Sequence, residues 1–166
     1  MIVRPETPAD YDAIAAVVRA AFVDEPQVAD VVDAIRASEE YRPAFSLVAD
    51  EDGAIVGHVM LSGLPIGGEQ ALQLSPLAVC PERQRRGIGA ALVRAALAAA
   101  REGGEKLVCV EGDPRYYSRF GFRVSTDLGV ERPHERVPDW AFQALAFAED
   151  HPRGRATYPP AFDIVG

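Results

Sequence analysis

Lysine is almost missing from this chain: Lys106 is the only one among 166 residues, and arginine supplies the rest of the basic side. Seventeen basic residues face twenty-five acidic ones, a net charge of -8. Such a shortage of positive charge argues against generic nucleic-acid binding, which rests on neutralising phosphates, and against a polybasic membrane patch. It favours cationic partners. Cysteine is equally scarce. Cys80 and Cys109 lie in the apolar runs LAVCP and LVCVE, too few for a disulfide scaffold or a four-cysteine zinc site, and they read as buried free thiols in a reducing compartment. His58, His134 and His151 show no metal-ligand spacing, so no metal is expected. Long apolar runs are absent as well. Arg4, Glu6 and Asp10 interrupt the start that a secretory signal needs. The uncharged stretch Ala54–Gly68 carries Pro65 and four glycines and falls short of a membrane span. These absences together predict a cytoplasmic protein with no membrane segment.

The remainder is ordinary for a folded domain, with 48% hydrophobic and 25% charged residues. At about 150 residues per domain the length gives one domain, and a chain of this size buries about 70% of its unfolded surface without staples. Ile2-Val3-Arg4 reads as a strand. Thr7-Pro8 then opens a helix carrying Ile14, Val17, Val18, Ala21 and Phe22 at helical spacing. Pro26 ends it, and a second helix is expected over 28–38. Strands follow at 44–49 and 54–62 around the turn Asp50–Gly53, then a loop at 64–69, then a strand over 70–80. Pro76 sits inside that last strand and removes a ladder hydrogen bond, which predicts a bulge or an opening in the sheet. A helix over 87–101, a strand over 106–111, a short helix over 114–119 and strands at 122–125 and 141–147 complete a mixed α/β (α+β) pattern. Residues 1–147 form the expected domain, with 148–166 as a tail packing on it.

One segment carries chemistry. Gln84-Arg85-Arg86-Gly87-Ile88-Gly89 lies between a strand and a helix. Glycines at a helix start let a ligand approach the backbone, and the free first-turn amides and helix dipole favour an anion such as a phosphate. Arg83, Arg85 and Arg86 reverse the global charge locally. A P-loop is excluded, since no lysine follows the glycines. A dinucleotide fingerprint lacks its third glycine, Leu92 standing there. The residues downstream also cannot supply the repeated βαβ units of an NAD-binding fold, despite Glu111 about twenty positions on.

Upstream stands Leu77-Ala78-Val79-Cys80-Pro81, and downstream Tyr116-Tyr117-Ser118-Arg119-Phe120-Gly121-Phe122. A strand of L-x-V-x-P type, a [Q/R]-x-x-G-x-[G/A] loop and a later Y-x-[R/K]-x-G-F segment, in this order, resemble the GNAT superfamily of N-acetyltransferases. GDPRYYSRFGF and the closing YPPAF resemble one bacterial branch of predicted acetyltransferases. The resemblance implies a central six- to seven-stranded mixed sheet, splayed between strands 4 and 5, with acetyl-CoA as cosubstrate in the splay. It implies that the backbone of Leu77, Ala78 and Val79 meets the pantetheine arm, with the Val79 N–H on the thioester oxygen. The amides and side chains of Gln84, Arg85, Arg86, Gly87, Ile88, Gly89 and Ala90 would hold the pyrophosphate, with Arg83 or Arg86 near the remaining phosphate. Tyr117 would protonate the departing thiolate and Phe120 would line the cofactor site.

The reaction implied is direct attack of a primary amine on acetyl-CoA in a ternary complex, with the acidic chain favouring a cationic amine and a homodimer expected by analogy. A module that binds acyl-CoA without turning it over is the alternative. The family's usual asparagine before the tyrosine is replaced by Gly112-Asp113-Pro114. Glu111, Asp113 and Glu69 are the carboxylates available as a base, Glu111 foremost. Phe22, Trp140, Tyr158 and Phe162 are the candidate walls of the acceptor site.

Overall fold

A computed structural model describes residues 1–165 of the chain. After the strand β1 (Ile2–Pro5) come helices α1 (Tyr11–Ala21) and α2 (Val28–Arg36), then the long meander β2 (Ser46–Glu51), β3 (Ala54–Ile66) and β4 (Glu69–Val79). Helix α3 (Ile88–Glu102), strand β5 (Leu107–Glu111), helix α4 (Pro114–Tyr117) and the strands β6 (Arg123–Val124), β7 (Val130–Glu131), β8 (Phe142–Ala146) and β9 (Gly154–Arg155) follow. Seven strands form one sheet in the order β1-β2-β3-β4-β5-β8-β6, and β7 with β9 forms a separate parallel pair. Every neighbour in the large sheet is antiparallel except β4 and β5.

Alternation along the strands divides the core into two layers. Val59, Leu61, Leu72, Leu74, Val108 and Val110 face α3, which returns Ile88, Leu92, Val93, Ala96, Leu97 and Ala100 at helical spacing. The opposite face is covered by α1, through Ile14, Val17 and Val18 over Val48 and Ala78. Beside it α2 brings Val31, Val32 and Ile35 against Met60 and Phe162. Burying each such aliphatic side chain contributes about 1.5–3 kcal/mol, so both layers are held by burial rather than by helix propensity.

Pro76 does interrupt the sheet. Val59 pairs with Leu77 but Leu61 with Leu74, so β4 spends one extra residue here, and the Ser75–Pro76 peptide bond is cis. The expected loop over 64–69 is corrected: β3 runs through Pro65 to Ile66, and only Gly67-Gly68, both left-handed, make the turn. Proline is tolerated because β2 stops pairing with β3 at Met60, leaving Pro65 on an open edge. The C-terminal segment runs along that edge instead. The amide of Thr157 donates to the Pro65 carbonyl at 2.9 Å, and that of Gly67 to Arg155 at 3.0 Å.

Candidate active site

Among the described residues β4 and β5 pair at Leu72↔Val108 and Gln73↔Cys109 alone. Beyond them β4 stays with β3 as far as Val79 and β5 stays with β8 as far as Glu111, so a wedge opens between the two strands. The amide of Cys80 donates to the Val56 carbonyl at 2.9 Å. Because successive strand amides alternate in direction, those of Leu77 and Val79 point the other way, into the wedge. On this side Gln84 Nε2 donates to the Val79 carbonyl at 3.0 Å, tying the following loop to the rim.

That loop ends at Gly87, whose φ of 82° is left-handed; Arg85 shares the conformation with φ 66°. Gly87 caps α3 without a side-chain hydrogen bond, and no acidic residue occupies the first turn, so the amides at the positive helix end stay open to an anion. A Cβ on Gly87 would meet nothing within 4 Å, whereas one on Gly89 would lie 3.0 Å from the Tyr116 hydroxyl. Ile88 is buried and Ala90 half-buried. Arg85 and Arg86 are exposed. Arg83 is engaged elsewhere, its Nε donating to Glu51 Oε1 at 3.1 Å.

The wedge leads into a cavity of about 1080 Å³. Its floor is Gln73 to Leu77, Glu111, Gly112 and Tyr117, and its walls include Phe22, Val28, Val31, Tyr158 and Phe162. Trp140 is not among them. It is 63% exposed and lies over an adjoining depression beside Pro114 and Pro138, which shares Glu111 and Gly112 with the cavity; this corrects its expected place as a wall. The Tyr117 ring is held edge-on by Tyr116 at 5.0 Å and Phe122 at 5.8 Å. It also rests so closely on Gly112 that a Cβ there would come 2.6 Å from Cε2. Burial, then the neighbouring Tyr116, pushes its phenol up to about 12. Phe120 packs against Tyr116 at 5.4 Å and under Arg94, outside the cavity lining.

Of the three carboxylates considered as a base, only Glu111 reaches the cavity, and its Oε1 accepts the Tyr158 hydroxyl at 2.7 Å. Asp113 caps α4 by accepting the Arg115 amide at 2.9 Å. Glu69 is exposed beside the β3–β4 turn. His58 does not face the wedge. It is fully buried, with Nε2 3.1 Å from Glu6 Oε1 and from Ser46 Oγ. Glu6 also accepts from Arg36 at 2.8 and 3.0 Å, Tyr41 at 2.7 Å and Ser46 at 2.6 Å.

Burial alone would raise the Glu6 carboxyl, but the hydrogen bonds from His58, Arg36, Ser46 and Tyr41 outweigh it and hold the group far below the usual range. Burial drives His58 the other way, toward the neutral ring, against the pull of Glu6. Since a carboxylate only accepts, Nε2 carries the imidazole proton. This network, together with Gln73, is what sequence reading missed. For Gln73 a signal existed: an amide at an inward position of the otherwise apolar QALQLSPLAV.

A seven-stranded sheet splayed after one parallel pair, an uncapped glycine loop at the wedge mouth and a tyrosine on its floor together define an acetyltransferase scaffold. The family described as "Acetyltransferase (GNAT) family" matches residues 12–122, and the chain belongs to it. The uncharacterized N-acetyltransferase YhbS of Escherichia coli K12 is 34% identical over 155 residues, 90% of this chain and 89% of that protein. A GNAT family acetyltransferase from Brucella melitensis, solved in complex with acetyl-CoA, is 37% identical with a TM-score of 0.83, covering 98% of this chain and 97% of that one. The E. coli YhbS structure in complex with CoA has a TM-score of 0.91 at 29% identity over 99% of this chain and 93% of that one. Among the described residues no helix is long and apolar enough to cross a membrane.

Proposed function

We propose that this protein transfers the acetyl group of acetyl-CoA to a primary amine by direct attack in a ternary complex. The observation that carries the reading is the continuity of three parts: open amides at the start of α3, inward-pointing amides of β4, and a walled cavity ending at Tyr117 and Glu111. The CoA and acetyl-CoA complexes of the two similar structures support it. The residues fit the cosubstrate, because the left-handed Gly87 and the uncapped first turn leave room for a pyrophosphate, with Arg86 free to approach the remaining phosphate.

Acetyl-CoA supplies a thioester whose carbon–sulfur bond breaks as the carbon–nitrogen bond forms. The Val79 amide donates to the thioester oxygen and stabilises the charge that develops there. Glu111 draws the acceptor amine to the floor and takes the proton that the nitrogen sheds as its bond to carbon forms. The neutral fraction of an alkylamine near pKa ~10.4 carries a handicap of about 4–5 kcal/mol at pH 7, and Glu111 acts on the fraction that attacks. Tyr117, kept protonated by a pKa of about 12, donates to the departing sulfur. A thiol is a fair leaving group already, so Tyr117→Phe should lower kcat about tenfold while CoA affinity stays unchanged. Steady-state rates paired with CoA titration read both, and a variant as fast as wild type removes the acid role.

The direct test of the reading is thermal unfolding with acetyl-CoA, CoA or NAD. At a hundredfold excess over Kd a one-site ligand adds about 2.7 kcal/mol, a rise of about 5–10 °C for a domain of this size. A rise with both CoA forms and none with NAD is expected; no rise with either CoA form overturns the reading.

A further inference from the structure

The cavity floor contains a polar group that acetyl transfer as described leaves unused. Gln73 is 4% exposed, lines the cavity, and buries its side-chain Nε2 without a hydrogen-bond partner among the described residues. Its cross-strand neighbour on β3, Ser62, also buries its hydroxyl with no partner among those residues. Buried polar groups are almost always paired in folded proteins, and removing such an orphan normally stabilises the chain. An amide kept at the point where β4 leaves β5 therefore points to a ligand that completes it.

The placement indicates which ligand. Gln73 stands opposite Cys109 on β5, and Glu111 lies two residues further along that strand on the same face. Two residues of strand span about 6.6 Å and neighbouring strands lie about 4.8 Å apart, so the two side chains rise from backbone about 8 Å apart and can converge on an amine and a polar group beside it. Glu111 carries the charge that suits an ammonium, with Tyr158 holding its other side. An amide both donates and accepts, so Gln73 suits a neutral hydroxyl or amide rather than a second charge. Phe22, Val28, Val31 and Phe162 give the lining an apolar surface that suits an apolar body, alongside the charged Glu25, Arg136, Arg155 and Asp163.

Resting on the acetyl-transfer reading above, we propose that Gln73 is a specificity-determining residue that binds a hydroxyl or amide close to the acceptor's amine. The substrate class is then amino alcohols or amino amides with an apolar body, in preference to plain alkylamines. A site built to hydrogen-bond a substrate group rejects the analogue lacking it, because its own polar atom is left unpaired.

The test uses the full chain and two acceptors that differ by one hydroxyl, 2-amino-1-phenylethanol and 2-phenylethylamine, with thiol release as the readout. Wild type should favour the amino alcohol at least tenfold in kcat/KM. Gln73→Leu should bring the ratio within about twofold, by loss on the amino alcohol alone, with the KM for acetyl-CoA unchanged and the melting temperature equal or higher. Gln73→Met serves the same purpose if the leucine variant does not fold. A wild-type ratio near one, or a ratio that survives the substitution, overturns the proposal and leaves acetyl transfer standing. A wild-type enzyme that releases no thiol with either amine overturns the acetyl-transfer reading for this amine class and this proposal with it.

Discussion

Glu6→Gln is expected to lower the melting temperature by about 6–12 °C, a large effect for a side chain outside the wedge. The Glu6 side chain is fully buried and that of Arg36 is 9% exposed. Breaking a buried ion pair from one side costs about 3–5 kcal/mol, because it strands the partner's charge. The lower end applies here, since Arg36 keeps Asp33 at 3.1 Å and the Tyr11 ring at 3.9 Å. For a chain of this size each kcal/mol moves the midpoint about 2–4 °C.

The same network sets the response to acid. Both Glu6 and His58 have folded-state pKa values below their ordinary 4.5 and 6.5. In each case the unfolded chain binds the proton that the folded chain refuses, so stability is present above the ordinary value and is lost as pH falls below it. Wild type should therefore weaken first below pH 6.5, through His58, and again below pH 4.5, through Glu6. Glu6→Gln should lose the second step. Melting curves from about pH 2.5 to 8 for both proteins measure the difference. A variant that melts with wild type at every pH would show that the ion pair contributes nothing.

Glu6 also shows where the sequence stops being informative. In the chain it is one charge in a polar start, and its partners lie at positions 36, 41, 46 and 58, brought together by α2, the segment after it, β2 and β3. No local periodicity encodes such a convergence. What was legible rests on local rules. Pro76 had to break a ladder, the glycines after Arg86 had to open a helix, and the Asp50–Gly53 segment had to turn between two strands, although β2 runs on to Glu51 and only the left-handed Asp52 and Gly53 make the turn. Pro65 was misread for the same reason that Pro76 was read correctly: the rule depends on whether a neighbouring strand needs the missing amide, and only the sheet order answers that. Likewise Tyr158 and Phe162 come to the cavity through the contacts of the C-terminal segment along β3, while Trp140, equally aromatic, points outward. Residue type alone does not distinguish them.

Gly87→Val should weaken CoA binding about a hundredfold, which is about 2.7 kcal/mol. Two effects combine. A left-handed φ costs an ordinary L residue about 1–2 kcal/mol and a β-branched residue more, so the loop shifts and carries the first amides of α3 with it. The added methyl groups then occupy the open space above Gly87, where pyrophosphate oxygens must come within hydrogen-bond distance of those amides. Nothing within 4 Å would collide with the new Cβ, so the melting temperature should fall by only a few degrees. The affinity loss therefore cannot be unfolding in disguise. Tyr117→Phe should show the opposite pattern, an intact CoA affinity with a slower turnover, since Tyr117 lies at the far end of the wedge. Calorimetric titration of CoA into both variants separates the two ends of the site. If Gly87→Val binds CoA as tightly as wild type, the glycine loop is no phosphate site, and the cosubstrate must be held by the β4 backbone and the cavity alone.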